Sequence, residues 1–188
     1  MASADDSPPL LLTPEGARQR AFVALGSNLG DPQAALEDAM DRLGRVSDGP
    51  LVRSSLWRSA PVDCPPGSPW FVNAVAALFP RLGETPETLL ELLLAMEREW
   101  GPRSRRIRNA PRRLDLDLIA FREETRATAT LTLPHPRACV RRFVLEPLAE
   151  IAPDWVLPGQ RATVRRLLAG LPAGPGCERL PPRAIRRQ

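Results

Sequence analysis

The stretch RRLDLDLIAF, residues 112–121, alternates leucine with aspartate and then turns apolar throughout. Alternation with a period of two marks a strand, whose successive side chains point to opposite faces. Leu114, Leu116 and Leu118 then face a core, while Asp115 and Asp117 share the other face. Their Cα atoms would lie ~6.5–7 Å apart, a spacing at which two carboxylates repel unless a cation sits between them. Such a pair can converge on one Mg²⁺ or bridge two ions ~3.5–4 Å apart, the separation that serves phosphoryl transfer. A solvated strand face is the plainer alternative, since acidic residues are common there.

Immediately upstream, GPRSRRIRNAPRR (101–113) carries Arg103, Arg105, Arg106, Arg108, Arg112 and Arg113. Guanidinium groups hold phosphate oxygens in a fork, so acids beside arginines read as two halves of a polyphosphate grip. Ion pairing between loop and strand accounts for a pair or two and leaves a surplus of arginine. A loop of this charge density repels itself until an anion binds.

The rest of the chain places that strand in a fold. AFVAL (21–25) is a short strand closed by GSNLGDP, in which Asp31 and Pro32 suit a helix N-cap and first helical position. Leu36, Ala39, Met40 and Leu43 follow at helical spacing, with Gly44 as the stop. LVRSSLWR (51–58) and WFVNAVAALF (70–79) read as two strands joined by a loop rich in proline and glycine. Thr85 and Pro86 then open a second helix with Leu89, Leu92, Leu93, Met96 and Trp100 on one stripe. The resulting order, β-α-β-β-α-β, predicts an α+β, ferredoxin-like core: an antiparallel sheet with both helices on one face. Residues 131–158 should add a short strand, a turn and a helical segment broken at Pro147. Residues 1–19 are expected to be a disordered leader, 20–158 the domain, and 159–188 a C-terminal extension that is partly disordered apart from one helix around TVRRLLAG.

Composition narrows the function. At 188 residues, 43% hydrophobic and 26% charged, the chain suits one soluble domain, and no apolar run approaches the ~20 residues that span a bilayer. The acidic, weakly apolar N-terminus lacks the features of a secretory signal, so a cytoplasmic protein is expected; a monomer is expected separately. Cys64, Cys139 and Cys177 form no CxxC pair and are expected to be spectators. The formal charge of +4 favours anionic partners without choosing between nucleotide and nucleic acid. His135, the only histidine, stands between prolines six residues before Arg141, where either could donate to a phosphate oxygen. GSNLG lacks the spacing and the lysine of a phosphate cradle and reads as a tight turn. Trp57, Trp70, Phe71 and Phe143 lie close to loops and Asn73 sits among apolar strand residues, a set that suits either a core or a pocket for a flat heterocycle.

Taken together, VALGSNLGD, SSLWRSAPV, FVNAV, APRRLDLDLI and LPHPRACVRRFVLEPLAEIAP, in that order, resemble the 6-hydroxymethyl-7,8-dihydropterin pyrophosphokinase family over roughly residues 20–158. The resemblance implies a ferredoxin-like core and transfer of pyrophosphate from ATP to 6-hydroxymethyl-7,8-dihydropterin in folate biosynthesis. It implies that Asp115 and Asp117 hold two Mg²⁺ ions and that Arg112 contacts the phosphates. His135, Arg141, Glu97 and Thr132 would serve ATP. Ser59, Ala60, Val62, Phe71, Asn73, Asn109 and Phe143 would line the pterin pocket. The departures lie in the arginine loop: Pro102 stands where the family has arginine, Asn109 where tryptophan often covers the pterin, and Ala110 where glycine is common, with Arg103 able to replace the displaced arginine. An impaired paralogue that binds without turnover is one rival. An RNA-binding module is another; it lacks an aromatic-rich basic strand motif, so no nucleic-acid partner is expected.

Overall fold

The computed structural model describes residues 11–101, 110–172 and 176–181. Three long strands form the centre of an antiparallel sheet: β1 (Ala21–Ser27), flanked by β4 (Phe71–Leu78) and β5 (Asp115–Phe121). The strand expected over 51–58 is split into β2 (Val52–Arg53) and β3 (Trp57–Ser59), both paired with β4. Between them Ser54 breaks the alternation. Its hydroxyl accepts the Val75 N–H at 2.9 Å while its own N–H reaches the Val75 carbonyl at 2.9 Å. The sheet order is β5-β1-β4-β3-β8, the last strand being Cys177–Arg179, and β6 (Arg126–Ala127) with β7 (Thr132–Leu133) makes a separate ribbon.

Two helices seal one face of this sheet. In α2 (Pro32–Val46) the Asp31 side chain accepts the Ala34 N–H at 3.1 Å, and α3 (Pro86–Glu99) opens on a reciprocal Thr85–Thr88 capping box. Both therefore start where local chemistry satisfies orphan N–H groups, and α2 runs two residues past Gly44. Leu36, Leu43, Leu89 and Leu93 pack there against Val23, Leu25, Leu116 and Leu118. Each buried leucine contributes roughly 1.5–3 kcal/mol relative to an exposed one.

The second face is covered in part. α4 (Arg142–Ile151), α5 (Val164–Ala169) and a short helix α1 (Pro14–Arg18) bury Val144, Leu145, Leu148 and Ala17 against Val75, Ala77 and Phe22. Trp155 stacks on Phe22 with centroids 4.3 Å apart. Three expectations change here. α4 continues through Pro147, whose buried ring joins the apolar face that Leu145, Leu148 and Ile151 press onto the sheet. Part of the leader is folded: Thr13 caps α1 and the Leu12 N–H bonds the Ile151 carbonyl at 2.7 Å. The C-terminal extension contributes α5 and also β8, which extends the sheet beside β3.

A bulge in β5 reorients the strand beyond its aspartates. Phe22 pairs with Ala120 but Val23 pairs with Leu118, leaving Ile119 extra. Leu116 and Leu118 face α2 and α3, and Ile119 and Ala120 both face the other way. The bulged Ile119 carbonyl accepts the His135 N–H at 2.8 Å, which ties the segment after β7 to the strand that carries the aspartates.

Candidate active site

At the N-terminal end of α4, the second face opens into a cavity of about 340 Å³, within the usual range for small-molecule sites. Its floor arises from strand register. Asp115 of β5, Gly26 of β1, Asn73 of β4 and Trp57 of β3 lie side by side in one row, and Asp117, Ala24 and Val75 in the next. Small residues in β1 thus separate two carboxylates on one side from an amide on the other. With strands ~4.8 Å apart, Asp115 and Asn73 stand ~10 Å from one another across the floor.

The acidic half is built with its counter-charge. An Arg112 Nη is 2.8 Å from Asp115 Oδ1, so the plain ion-pair reading holds for this pair. Asn28, buried in the GSNLG turn, fixes the Arg112 backbone: its Oδ1 accepts the Arg112 N–H at 2.8 Å and its own N–H reaches the Arg112 carbonyl at 3.1 Å. Its amide also donates to the Pro69 carbonyl at 3.3 Å, which ties the turn to the segment leading into β4. The turn that reads as a mere connection is a clamp.

His135 and Arg141 close the cavity above. His135 Nδ1 accepts the Arg137 N–H at 3.2 Å, which leaves Nε2 as the protonated nitrogen of the neutral ring. Burial lowers its pKa from the ordinary value, Asp117 works against that, and Arg141 and Arg137 add to it. A neutral imidazole therefore presents one N–H donor. Burial pushes Arg141 down as well, and its guanidinium carbon lies 5.4 Å from the Phe143 ring centroid. α4 begins here with no side-chain cap, so its positive end adds to the field on the cavity.

The opposite half suits a flat polar ring. Phe71 and Phe143 line it, Val62 is 46% exposed at the rim, and Ser59 and Ala60 form a wall. The Asn73 amide donates to Ser59 Oγ at 2.9 Å, and its Oδ1 points over Gly26, 3.6 Å from where a Cβ would stand. Any side chain on Gly26 would grow into the floor.

The cavity thus gathers Asp115, Asp117, Arg112, His135, Arg141, Ser59, Ala60, Val62, Phe71, Asn73 and Phe143. It does not gather Glu97 or Thr132. Glu97 is buried on the helical face, where its Oε1 accepts the Leu116 N–H at 2.7 Å on the edge strand, between the two aspartates. Thr132 is exposed on β7. Arg103 and Asn109 lie outside the described residues. Gly26, Arg137 and Cys64 line the cavity too, beyond the site residues expected from the sequence. The small residues at alternate positions of AFVALGS were the available signal for Gly26. Cys64 is more than a spectator in position, although burial pushes its thiol up while Arg112 and Arg141 draw it back.

As a metal site the donor set is specific. Among the described residues no group of three or more His, Cys, Asp or Glu side chains could cage an ion. Two hard carboxylates facing an anion pocket nonetheless fit Mg²⁺, which takes one or two protein carboxylates and completes its shell with water and phosphate.

Carboxylates and arginines facing an amide and aromatic rings across a short floor have the chemistry to suit a polyphosphate beside a flat heterocycle. Solved chains share the fold: an HPPK-DHPS in complex with substrates superposes with a TM-score of 0.61 at 11% identity, over 80% of this chain and 42% of that one. A Plasmodium falciparum HPPK-DHPS triple mutant with pteroate gives 0.58 at 12%, again over 80% and 42%. This chain spans less than half of either. The chain belongs to the 7,8-dihydro-6-hydroxymethylpterin-pyrophosphokinase (HPPK) family, whose model matches residues 22–153. The 2-amino-4-hydroxy-6-hydroxymethyldihydropteridine pyrophosphokinase of Pseudomonas aeruginosa is 44% identical over 164 residues, 87% of this chain and 98% of the relative. Its counterpart in Synechocystis sp. is 40% identical over 164 residues, covering 84% and 82%.

Proposed function

We propose that this protein transfers pyrophosphate from ATP to 6-hydroxymethyl-7,8-dihydropterin, giving AMP and the pterin pyrophosphate for folate biosynthesis. The observation that carries the reading is one cavity in which Asp115 and Asp117 stand on the far side of Gly26 and Ala24 from Asn73. Asn73 and Ser59 read the ring edge, while Phe71 and Phe143 bracket its faces. Arg141, the His135 Nε2–H and the positive end of α4 hold phosphate oxygens. Arg112, paired with Asp115, is placed to share its charge with the substrate. Asp115 and Asp117 would hold two Mg²⁺ ions, which would supply charge neutralisation for the triphosphate.

Phosphoryl transfer needs alignment and charge neutralisation more than covalent help. The pterin hydroxyl oxygen bonds the β-phosphorus as the bridge from that phosphorus to the α-phosphate breaks, and the electron pair leaves on AMP. The hydroxyl proton goes to solvent or, weakly assisted, to an aspartate. The strand order and the antiparallel pairing support a ferredoxin-like reading of the core.

The test is AMP release from ATP with Mg²⁺, with and without the pterin. Pterin-dependent AMP formation is expected. Pterin binding with no AMP would make the chain an impaired paralogue, and tight RNA binding with neither would make it an RNA module.

A further inference from the structure

At the far edge of the sheet lies a polar cluster that phosphoryl transfer does not use. Glu150 of α4, its side chain only 11% exposed, accepts the Ser55 N–H at 2.9 Å, the Ser55 hydroxyl at 2.7 Å and the Trp57 indole N–H at 3.0 Å. Arg179 of β8 completes the group, 3.4 Å from Glu150 Oε1 and donating to Ser55 Oγ at 2.8 Å. One residue along, Arg58 pairs with Glu178, and the Arg58 guanidinium carbon lies 4.9 Å from the ring centroid of Trp70.

These contacts converge on β3. That strand has three residues and pairs with β4 at only three positions. A strand so short is weakly held by its ladder alone. β8 supplies three further pairs on its outer side, and the Leu180 N–H bonds the Leu56 carbonyl at 2.8 Å. The chain leaves β3 at Ser59 and becomes the ring-side wall of the cavity through Ala60 and Val62. Trp57 also stands directly beside Asn73 in the sheet. The matched family region ends at residue 153, so β8 lies beyond it.

We propose that the C-terminal strand β8 is a positioning element for the pterin side of the cavity, acting through Glu150 and β3 to set ring affinity without touching the ring. This rests on the pyrophosphokinase reading. The Arg58–Glu178 and Arg179–Glu150 pairs are largely exposed on the arginine or β8 side, so each alone contributes modestly. The Glu150 carboxylate is shielded and takes charge-assisted bonds from neutral donors, so it is the stronger link.

The double variant Glu178→Ala plus Arg179→Ala changes two exposed side chains and should fold normally. It should raise KM for the pterin about three- to tenfold, the size expected for two weak ion pairs, while kcat and KM for ATP stay within about twofold of wild type. Arg179→Lys in place of Arg179→Ala should restore part of the loss, and Glu150→Ala should exceed the double variant. Arg165→Ala removes a surface pair with Asp154 elsewhere in the C-terminal region and should move neither KM. An unchanged pterin KM in the double variant, or equal rises in both KM values, overturns the proposal. If wild type released no AMP, the pyrophosphokinase reading would fail instead. Pterin fluorescence binding by wild type and the double variant would then decide the positioning role, with equal affinities overturning it.

Discussion

The same three strands present two faces with opposite fates. Under α2 and α3, the side chains of Val23, Leu25, Leu116 and Leu118 are sealed. On the reverse, α4 covers Val75 and Ala77 but stops short of Ala24, Gly26, Asp115 and Asp117, which line the cavity. Leu116 and Asp117 are neighbours in sequence, yet one holds the fold together and the other faces the site. Stability and chemistry are thereby separated by a single pleat, so substitutions on the two faces should have separable effects.

Leu93→Ala on the sealed face should cost about 2–5 kcal/mol of unfolding free energy, read by denaturant melts, with turnover per folded molecule little changed. Asn28→Ala should blur the distinction. It removes the acceptor for the Arg112 N–H and the donor to Pro69, leaving buried groups unpaired at a cost of ~1–3 kcal/mol. It should also lower activity by displacing Arg112, and full activity at the reduced stability would show that the clamp does not position the site. On the open face, Gly26→Ala meets only ordinary contacts, Asn73 Oδ1 at 3.6 Å and the Asp115 Cβ at 3.9 Å. It should leave the melting temperature intact while raising the pterin KM several-fold, and an unchanged KM would remove Gly26 from the floor.

The smallest effect concerns pH. His135 holds its proton less readily folded than unfolded, chiefly through burial. The unfolded chain therefore binds more protons below its ordinary value of ~6.5, and stability must fall as pH drops through that value and level off below the folded one. In metal-free protein, His135→Gln should flatten this limb of the stability profile; an unchanged slope would assign it to other groups.

Much of this was legible in the sequence because it is local. The LDLDL alternation, the Asp31 and Thr85 caps and the apolar stripes each depend on residues a few positions apart. Eleven of the residues that the family motifs marked as candidates line one cavity. What was illegible depends on distant pairing. The link from Asn28 to Arg112 joins residues 84 apart, and nothing in GSNLG announces it. β8 is three residues with no strand pattern of its own, made a strand by the edge of β3. Glu97 is no member of the apolar stripe of α3, and only the sheet edge beneath that helix reveals the N–H it satisfies. Pro147 suggested a break because local rules weigh a lost helical bond more readily than the burial of the whole face.

The most direct test uses the two neighbours. Asp117→Ala and Leu116→Ala are assayed side by side for unfolding free energy and for pterin-dependent AMP release. Asp117→Ala should stay folded and lose roughly 10²–10³-fold in turnover, the scale of removing one preorganised charge-stabilising group. Leu116→Ala should lose stability and keep near-normal turnover per folded molecule. Near-wild-type turnover in Asp117→Ala, or an inactive Leu116→Ala with unchanged stability, would contradict the division of labour between the two faces.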